Sequence, residues 1–270
     1  MSSKEEHMLE ALQLAKKGLL TASPNPMVGC VITHKNKVIG RGWHERSGRN
    51  HAEINAIEDV FSNLGNKAEE ALKESELFVN LEPCTTFGKT PPCADSISEH
   101  GIRKVYFGNE DKAQQGFSKL HPEIEVESGL LEEKGRKLNR GFFSRIEKGR
   151  PYISCKIASA LDGGIALSSG ESKWITSSDS RKDVHKIRAY SDAILTGTGT
   201  ILKDNPQLTS RDSELDKGLY KQPLRVVVDR NNVLTGKENI FSSGTQTILF
   251  INQDSLLKDK ENVEIAQLRA

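Results

Sequence analysis

The chain has 270 residues, and 38 Lys plus Arg against 37 Asp plus Glu leave a formal net charge of +1. With 36% hydrophobic and 28% charged residues it is neither disordered nor collagen-like, and the charge balance gives no overall attraction to nucleic acid or anionic lipid. The length exceeds a typical single domain of roughly 100–150 residues and suits two.

Met8, Leu9, Leu12, Ala15 and Leu19 recur at helical spacing, so the chain opens with an amphipathic helix. Gly18 lies near its end, and Pro24 and Pro26 block a quick restart. Lys4, Glu5, Glu6, Glu10, Lys16 and Lys17 interrupt this stretch, so it is no secretory signal. No run approaches the roughly 18–20 apolar residues of a membrane span. Residues 28–32 and 38–43 read as strands joined by the polar turn His34 to Lys37, a hairpin. A helix follows from His51 to Leu64, with Ile54, Ile57 and Phe61 spaced three and four apart. Residues 77–81 form a strand that runs into Pro83 and Cys84, and a loop from Thr85 to Pro92 leads to a helix from Cys93 to His100. Strands are expected at 105–107 and 124–126, and one charge-rich helix from Leu130 to Glu147.

Gly149-Arg150-Pro151 marks the expected boundary, giving domains of 1–148 and 149–270. Beyond it, strands are predicted at 152–157, 193–196, 224–229 and 247–251. A turn is predicted at Asp162 to Gly164, and a helix from Ser178 to Tyr190 with Ser178 as N-cap. Strands alternating with helices in both halves indicate two α/β domains.

The chemistry gathers in three places: His51-Ala52-Glu53 opening a helix, Pro83-Cys84 ending a strand, and Cys93 opening another helix. A neutral imidazole and two thiolates make a three-ligand zinc site with a fourth position open to water. Helix N-termini favour thiolates through their free N–H groups and positive dipole end. Glu53 lies two residues after His51, about 200° round a helix. It is assigned to proton transfer, from zinc-activated water to the ring nitrogen and the leaving amine. The order H-x-E then P-C is that of zinc deaminases of nucleobases, whose cysteines are two residues apart. Here eight residues separate Cys84 from Cys93, and the inserted loop carries one cation, Lys89. That spacing also misses the short pairs of structural zinc modules.

Residues 24–29 (PNPMVG), His51-Ala52-Glu53 and residues 82–93 (EPCTTFGKTPPC) together resemble the bifunctional riboflavin-biosynthesis deaminase/reductase family. The resemblance implies a cytidine-deaminase-like three-layer domain that hydrolyses 2,5-diamino-6-ribosylamino-4(3H)-pyrimidinone 5′-phosphate. By motif position His51, Cys84 and Cys93 would bind zinc and Glu53 would be the proton donor. Asn25 and His44 would contact the pyrimidine, and Lys89 and Thr90 the ribose phosphate, for which a cation and a hydroxyl are natural partners. Two departures bear on the ribose phosphate and leave the metal untouched. Thr86 stands where family members often have His, and Asp111-Lys112-Ala113-Gln114 stands where they often have Asp-Pro-Asn-Pro.

Residues 156–163, 169–176 and 200–209 are similar to the reductase half of the same family, a dihydrofolate-reductase-like fold that uses NADPH. The similarity implies that Ala158, Trp174, Thr200 and Asp204 touch NADPH, and that Ser172, Arg188, Leu208 and Arg211 touch the sugar phosphate. It also implies a reductase domain longer by on the order of a hundred residues. The expectation is therefore an active deaminase joined to an incomplete reductase, working in the cytoplasm as a homo-oligomer on a small molecule. A nucleic-acid or membrane partner is not expected.

Taken singly, each of these residues has a plainer reading. A lone histidine is usually a satisfied core or surface group, and a lone buried cysteine is usually inert. Cys30 and Cys155 are expected in strand cores, and His7, His34, His100, His121 and His185 in solvent. Trp174 could be ordinary packing. The competing functions are deamination of another free or RNA-borne base, and a non-catalytic zinc-stabilised module. RNA binding normally needs a basic face, and a structural zinc site would fill its fourth position with a protein ligand.

Overall fold

A computed structural model describes residues 2–88, 90–211, 221–242, 244–252 and 262–267. Two compact units emerge, Met1–Ser154 and Cys155–Ala270.

In the first unit the helix Ser3–Ala15 (α1) starts with a reciprocal cap: Ser2 Oγ accepts the Glu5 N–H, and the Glu5 carboxylate accepts the Ser2 N–H. Strands Gly29–His34 (β1) and Lys37–Trp43 (β2) pair antiparallel. Their connecting residues, Lys35 and Asn36, both have positive φ (48° and 62°), which suits the right-handed twist of a hairpin. Then come helices Ala52–Leu64 (α2) and Ala68–Lys73 (α3), strand Ser75–Leu81 (β3), helix Cys93–Glu99 (α4) and strand Lys104–Asn109 (β4). Helix Phe117–Leu120 (α5), strand Glu125–Ser128 (β5) and helices Glu132–Leu138 (α6) and Arg140–Lys148 (α7) complete the unit.

The sheet order is β2-β1-β3-β4-β5, with β1 antiparallel to both neighbours and β3, β4 and β5 parallel. Strand pleating divides the core. Cys30, Ile32, Leu77, Val79, Val105 and Phe107 pack with α2, α3 and α4, whereas Val31, Phe78 and Tyr106 pack against α1. The result is a helix–sheet–helix sandwich, buried on both faces as a partly parallel sheet requires. Helix α2 lies very close to β2 because Gly40 and Gly42 present no side chain to it. A Cβ on Gly42 would stand 2.2 Å from the Ala52 carbonyl oxygen.

The single helix expected over 130–147 is instead two, broken at Asn139 (φ −103°, ψ 30°). The Asn139 side chain accepts from the Met27 N–H at 2.9 Å and donates to the Met27 carbonyl at 2.8 Å. Asn80, also buried, donates to the same carbonyl at 3.0 Å and accepts from the Gly29 N–H at 2.8 Å. These two amides replace a neighbouring strand for the backbone that enters β1.

The second unit contains helix Ser178–Ala189 (α8), strand Ala193–Gly197 (β6), helix Thr198–Asp204 (α9) and strands Leu224–Asp229 (β7), Thr247–Ile251 (β8) and Val263–Gln267 (β9). The four strands are parallel in the order β6-β7-β8-β9. Ile201, Val227, Leu249 and Ile251 form its core with Leu234, Ile240 and Phe241. The N-cap of α8 is Ser177, not the expected Ser178: its Oγ accepts the Ser180 N–H at 3.2 Å. The strand expected at 152–157 is absent, because none of the described strands offers that segment a ladder. Cys155 is consequently exposed rather than a core residue, while Cys30 is buried. Several histidines expected in solvent have partners instead: His7 meets Asn36, His34 meets Glu74, and His121 meets Asp95 and Glu123. His185 accepts the Arg211 N–H. Among the described residues no helix is long and apolar enough to cross a membrane.

Candidate active site

Helix α2 begins with His51 as its N-cap residue, in extended conformation (φ −75°, ψ 165°). Its ring therefore sits at the helix mouth while Glu53, in the first turn, is buried beneath it. Strand β3 ends at Leu81, so Cys84 emerges at the carboxyl edge of the sheet. Pro92 ends the loop and Cys93 opens α4; proline suits a helix start because the missing N–H is unpaired there in any case. The Cys93 N–H donates to Cys84 Sγ at 3.2 Å, and the Ala94 N–H donates to the Cys84 carbonyl at 3.1 Å.

Three elements thus converge. His51 Nδ1 lies 3.4 Å from Cys84 Sγ and 3.3 Å from Cys93 Sγ. All three donor atoms fall within 4.8 Å of one another, close enough to share one ion. One nitrogen and two sulfurs form a donor set that suits zinc rather than magnesium or calcium. Beside them the Glu53 carboxylate has an oxygen, Oε2, that is buried and makes no hydrogen bond. An orphaned buried carboxylate oxygen is costly. It fits a site whose occupant supplies the missing partner.

The electrostatics follow from the geometry. Hydrogen bonds from the Cys93 thiol and the His51 imidazole hold the Cys84 thiol far below the usual range, at about 4. The Cys93 thiol moves the other way, its proton held by Cys84 and its ionisation opposed by burial. Burial, reinforced by the Cys84 charge, pushes the Glu53 carboxyl up to about 7. The hydrogen bond to Cys84 raises His51. Burial lowers His44, which keeps its imidazole neutral. A neutral His44 has one consistent tautomer here. Nδ1–H donates to the Asn50 carbonyl at 3.0 Å, and Nε2 accepts from Asn25 Nδ2 at 3.1 Å.

These groups line one cavity of about 430 Å³. Asn25, His44, His51, Glu53, Cys84 and Thr90 all reach it. Lys89 lies outside the described residues. Sequence reasoning missed Arg49 and Phe142, which also line the cavity. Arg49 stands two residues before His51, a visible cue; Phe142 sits on a charge-rich helix and gave none. The loop after β4 is held by Glu82, whose buried carboxylate accepts the Asp111 N–H at 2.9 Å and the Phe117 N–H at 2.7 Å. Gln114 then accepts the Thr85 N–H at 2.6 Å and donates to Asp111 at 2.7 Å. The segment that departs from the family pattern is therefore braced against the residue following Cys84.

The second unit carries the remaining expected site residues. Arg188 on α8 donates to the Thr209 carbonyl at 3.2 Å, and Arg211 donates to Gln207 at 3.1 Å. Burial, with the nearby Arg211 charge, lowers the Arg188 guanidinium. Leu208, between them in sequence, has positive φ (55°). Ser172 is half-buried in an irregular loop. Ala158 is half-buried in an irregular segment, Trp174 is exposed under the Arg181 guanidinium at 4.3 Å, and Thr200 and Asp204 are exposed on α9. Those four stand on three separate segments.

Comparison with known proteins matches residues 1–109 to the cytidine and deoxycytidylate deaminase zinc-binding region, and residues 151–269 to the RibD C-terminal domain. The chain is similar to the riboflavin biosynthesis protein RibD of Escherichia coli, 40% identical over 256 residues that cover 90% of this chain and 68% of that protein. The chain belongs to the RibD family. The RibD of Buchnera aphidicola is 42% identical, with 85% of this chain and 63% of that protein covered. The chain thus spans about two thirds of the length of these relatives. A solved structure from Thermotoga maritima, a diaminohydroxyphosphoribosylaminopyrimidine deaminase/5-amino-6-(5-phosphoribosylamino)uracil reductase, matches with a TM-score of 0.86 and 40% identity. That match covers 98% of this chain and 74% of that one. Acinetobacter baumannii RibD matches with a TM-score of 0.87 at 35% identity, covering 99% of this chain and 74% of that one. RibD proteins are deaminase/reductase enzymes of riboflavin biosynthesis; their deaminase domain uses zinc and their reductase domain NADPH. Membership therefore bears out the expected fold class, enzyme class and cofactors.

Proposed function

We propose that residues 1–148 hydrolyse the amino group of 2,5-diamino-6-ribosylamino-4(3H)-pyrimidinone 5′-phosphate to the corresponding carbonyl, releasing ammonia. The observation that carries this reading is the meeting of His51, Cys84 and Cys93 within 4.8 Å beside Glu53, whose Oε2 has no hydrogen-bond partner. His51 and the thiolates of Cys84 and Cys93 would hold the zinc. Bound there, zinc supplies Lewis acidity that makes water nucleophilic near neutral pH.

The remaining work belongs to side chains. Water adds to the amino-bearing ring carbon, and Glu53 takes the proton it loses. Glu53 hands that proton to the ring nitrogen, then takes the hydroxyl proton of the adduct and passes it to the amine, so the carbonyl forms as the carbon–nitrogen bond breaks and ammonia leaves. A carboxyl poised near neutrality can both accept and donate. Asn25 and His44 orient the pyrimidine; their mutual hydrogen bond fixes both side chains and leaves the Asn25 carbonyl oxygen for the base. Thr90 and Lys89 serve the ribose phosphate.

The second half, 149–270, is read as the reductase-type domain that acts on 5-amino-6-(5-phosphoribosylamino)uracil. Arg188 and Arg211, with Ser172 and Leu208, serve the sugar phosphate. Ala158, Trp174, Thr200 and Asp204 are assigned to NADPH by motif position alone, and no hydride step is derived from them. A small-molecule substrate, a cytoplasmic location and homo-oligomeric assembly complete the reading. All four cysteines are unpaired, as a reducing compartment favours.

The test is the Glu53→Gln variant, which keeps shape and removes the acid. Zinc content is expected to match wild type while ammonia release from the diaminopyrimidine phosphate falls by roughly 10²-fold or more. Equal ammonia release by the two proteins would remove Glu53 from the reaction.

A further inference from the structure

We infer that Arg49 is the anchor for the substrate's phosphate monoester at the deaminase cavity, a role that rests on the deaminase reading above and that no motif assigns. Arg49 is exposed and lines the same cavity as His51 and Glu53, so its charge faces solvent and ligand together. It is the sole cation among the described lining residues apart from the histidines. No carboxylate among the described residues pairs with it. The acids that share the cavity are occupied otherwise. Glu82 is consumed by the Asp111 and Phe117 amides, and Asp111 by the Ala113 N–H and the Gln114 side chain. Glu53 is buried beside the cysteines.

The backbone around Arg49 is fixed while its side chain is not committed. The Arg49 N–H donates to the Arg46 carbonyl at 3.0 Å, closing a turn. The next residue, Asn50, donates to Glu58 on α2 at 3.1 Å, and its carbonyl accepts from His44. Gly48 has positive φ (86°), and a Cβ there would meet nothing within 4 Å, so the turn is open at Gly48. A planar guanidinium with five N–H donors on a rigid turn suits bidentate binding of a phosphate monoester. The same turn leads directly into His51, so anchoring the phosphate here ties the far end of the substrate to the element that carries the chemistry.

The experiment compares the zinc-loaded 270-residue chain as wild type, Arg49→Ala and Arg49→Lys on the phosphorylated diaminopyrimidine riboside and on its dephosphorylated form. The ratio of the two kcat/KM values measures preference for the phosphate. That ratio is expected to fall about tenfold in Arg49→Ala and to recover in part in Arg49→Lys, since an ammonium keeps the charge but loses the fork. Ribose 5-phosphate titrated into the same proteins reads the site without turnover, and its Kd is expected to rise about tenfold in Arg49→Ala. A preference ratio and a ribose 5-phosphate affinity that both stay within twofold of wild type overturn the assignment, whatever the absolute rates do. Arg49-dependent binding of ribose 5-phosphate by a wild type that releases no ammonia would keep the anion site and refute the deaminase reading instead.

Discussion

Gly42→Ala is the substitution that most directly couples the fold to the site. Gly42 lies on β2 under the first turn of α2, and an added Cβ would stand 2.2 Å from the Ala52 carbonyl oxygen and 2.4 Å from the Ala56 nitrogen. Ordinary contact begins at 3.4 Å, so helix and strand must separate by about 1.2 Å. Both offended atoms are backbone, so no side-chain rotation relieves the clash. Overpacking of this kind costs about 1–3 kcal/mol. The displaced turn begins one residue after His51 and contains Glu53. A misplacement near 1 Å can lower a catalytic rate by roughly 10²-fold. Urea unfolding of the full chain, followed by circular dichroism, reads the stability loss. Zinc affinity against a competing chelator and ammonia release read the displacement. Gly141→Ala is the control: it lies in α7 with nothing within 4 Å of its Cβ, so a neutral or slightly favourable change of up to about 1 kcal/mol is expected. A Gly42→Ala protein with wild-type stability and zinc affinity would refute the claim that close approach of β2 places His51.

Asn139→Ala removes both Met27 contacts, and a loss of about 1–3 kcal/mol is expected in urea melts, with a raised KM because the backbone leading from Asn25 into β1 loosens. Unchanged stability and KM would show that Asn80 alone holds that segment. Glu82→Ala orphans the Asp111 and Phe117 amides and is expected to destabilise by about 2 kcal/mol or more. Glu82→Gln, which still offers one acceptor oxygen, should cost less; equal losses would contradict the two-amide account. Limited trypsin digestion is expected to cut first after Lys148 or Lys156, beside or within the 151–160 backbone that is exposed and lacks regular structure. Early cleavage after Arg41 in β2 or Arg225 in β7 would contradict the division into two units.

The elements that sequence periodicity located best were those stabilised by near neighbours. The hairpin of β1 and β2 was legible because apolar alternation flanks a short polar turn, and α2 because its apolar residues recur on one face. The meeting of His51, Cys84 and Cys93 was legible because each sits at an element boundary beside Pro, Ala or Glu, which are local cues. What failed depended on partners far away in the chain. The break between α6 and α7 is set by Asn139 reaching Met27, 112 residues earlier. The strand expected at 152–157 has the right alternation but no partner in the described sheet, so Cys155 is exposed rather than packed. The short helices α3 and α9 and the strand β9 went unmarked, since five to seven residues carry too little periodicity to stand out. The bracing by Glu82 was hidden as well: a glutamate before Pro-Cys reads as a solvated charge, and only the fold turns two backbone amides onto it.

The most direct measurement is ammonia release from the diaminopyrimidine ribose phosphate by the full chain as purified, after chelator treatment, and after adding back one equivalent of zinc. Loss on stripping and recovery on zinc addition are predicted for wild type, with no recovery in Cys84→Ala or Cys93→Ala. Undiminished release by the stripped protein, or full recovery in either cysteine variant, would contradict a reaction centred on His51, Cys84, Cys93 and Glu53.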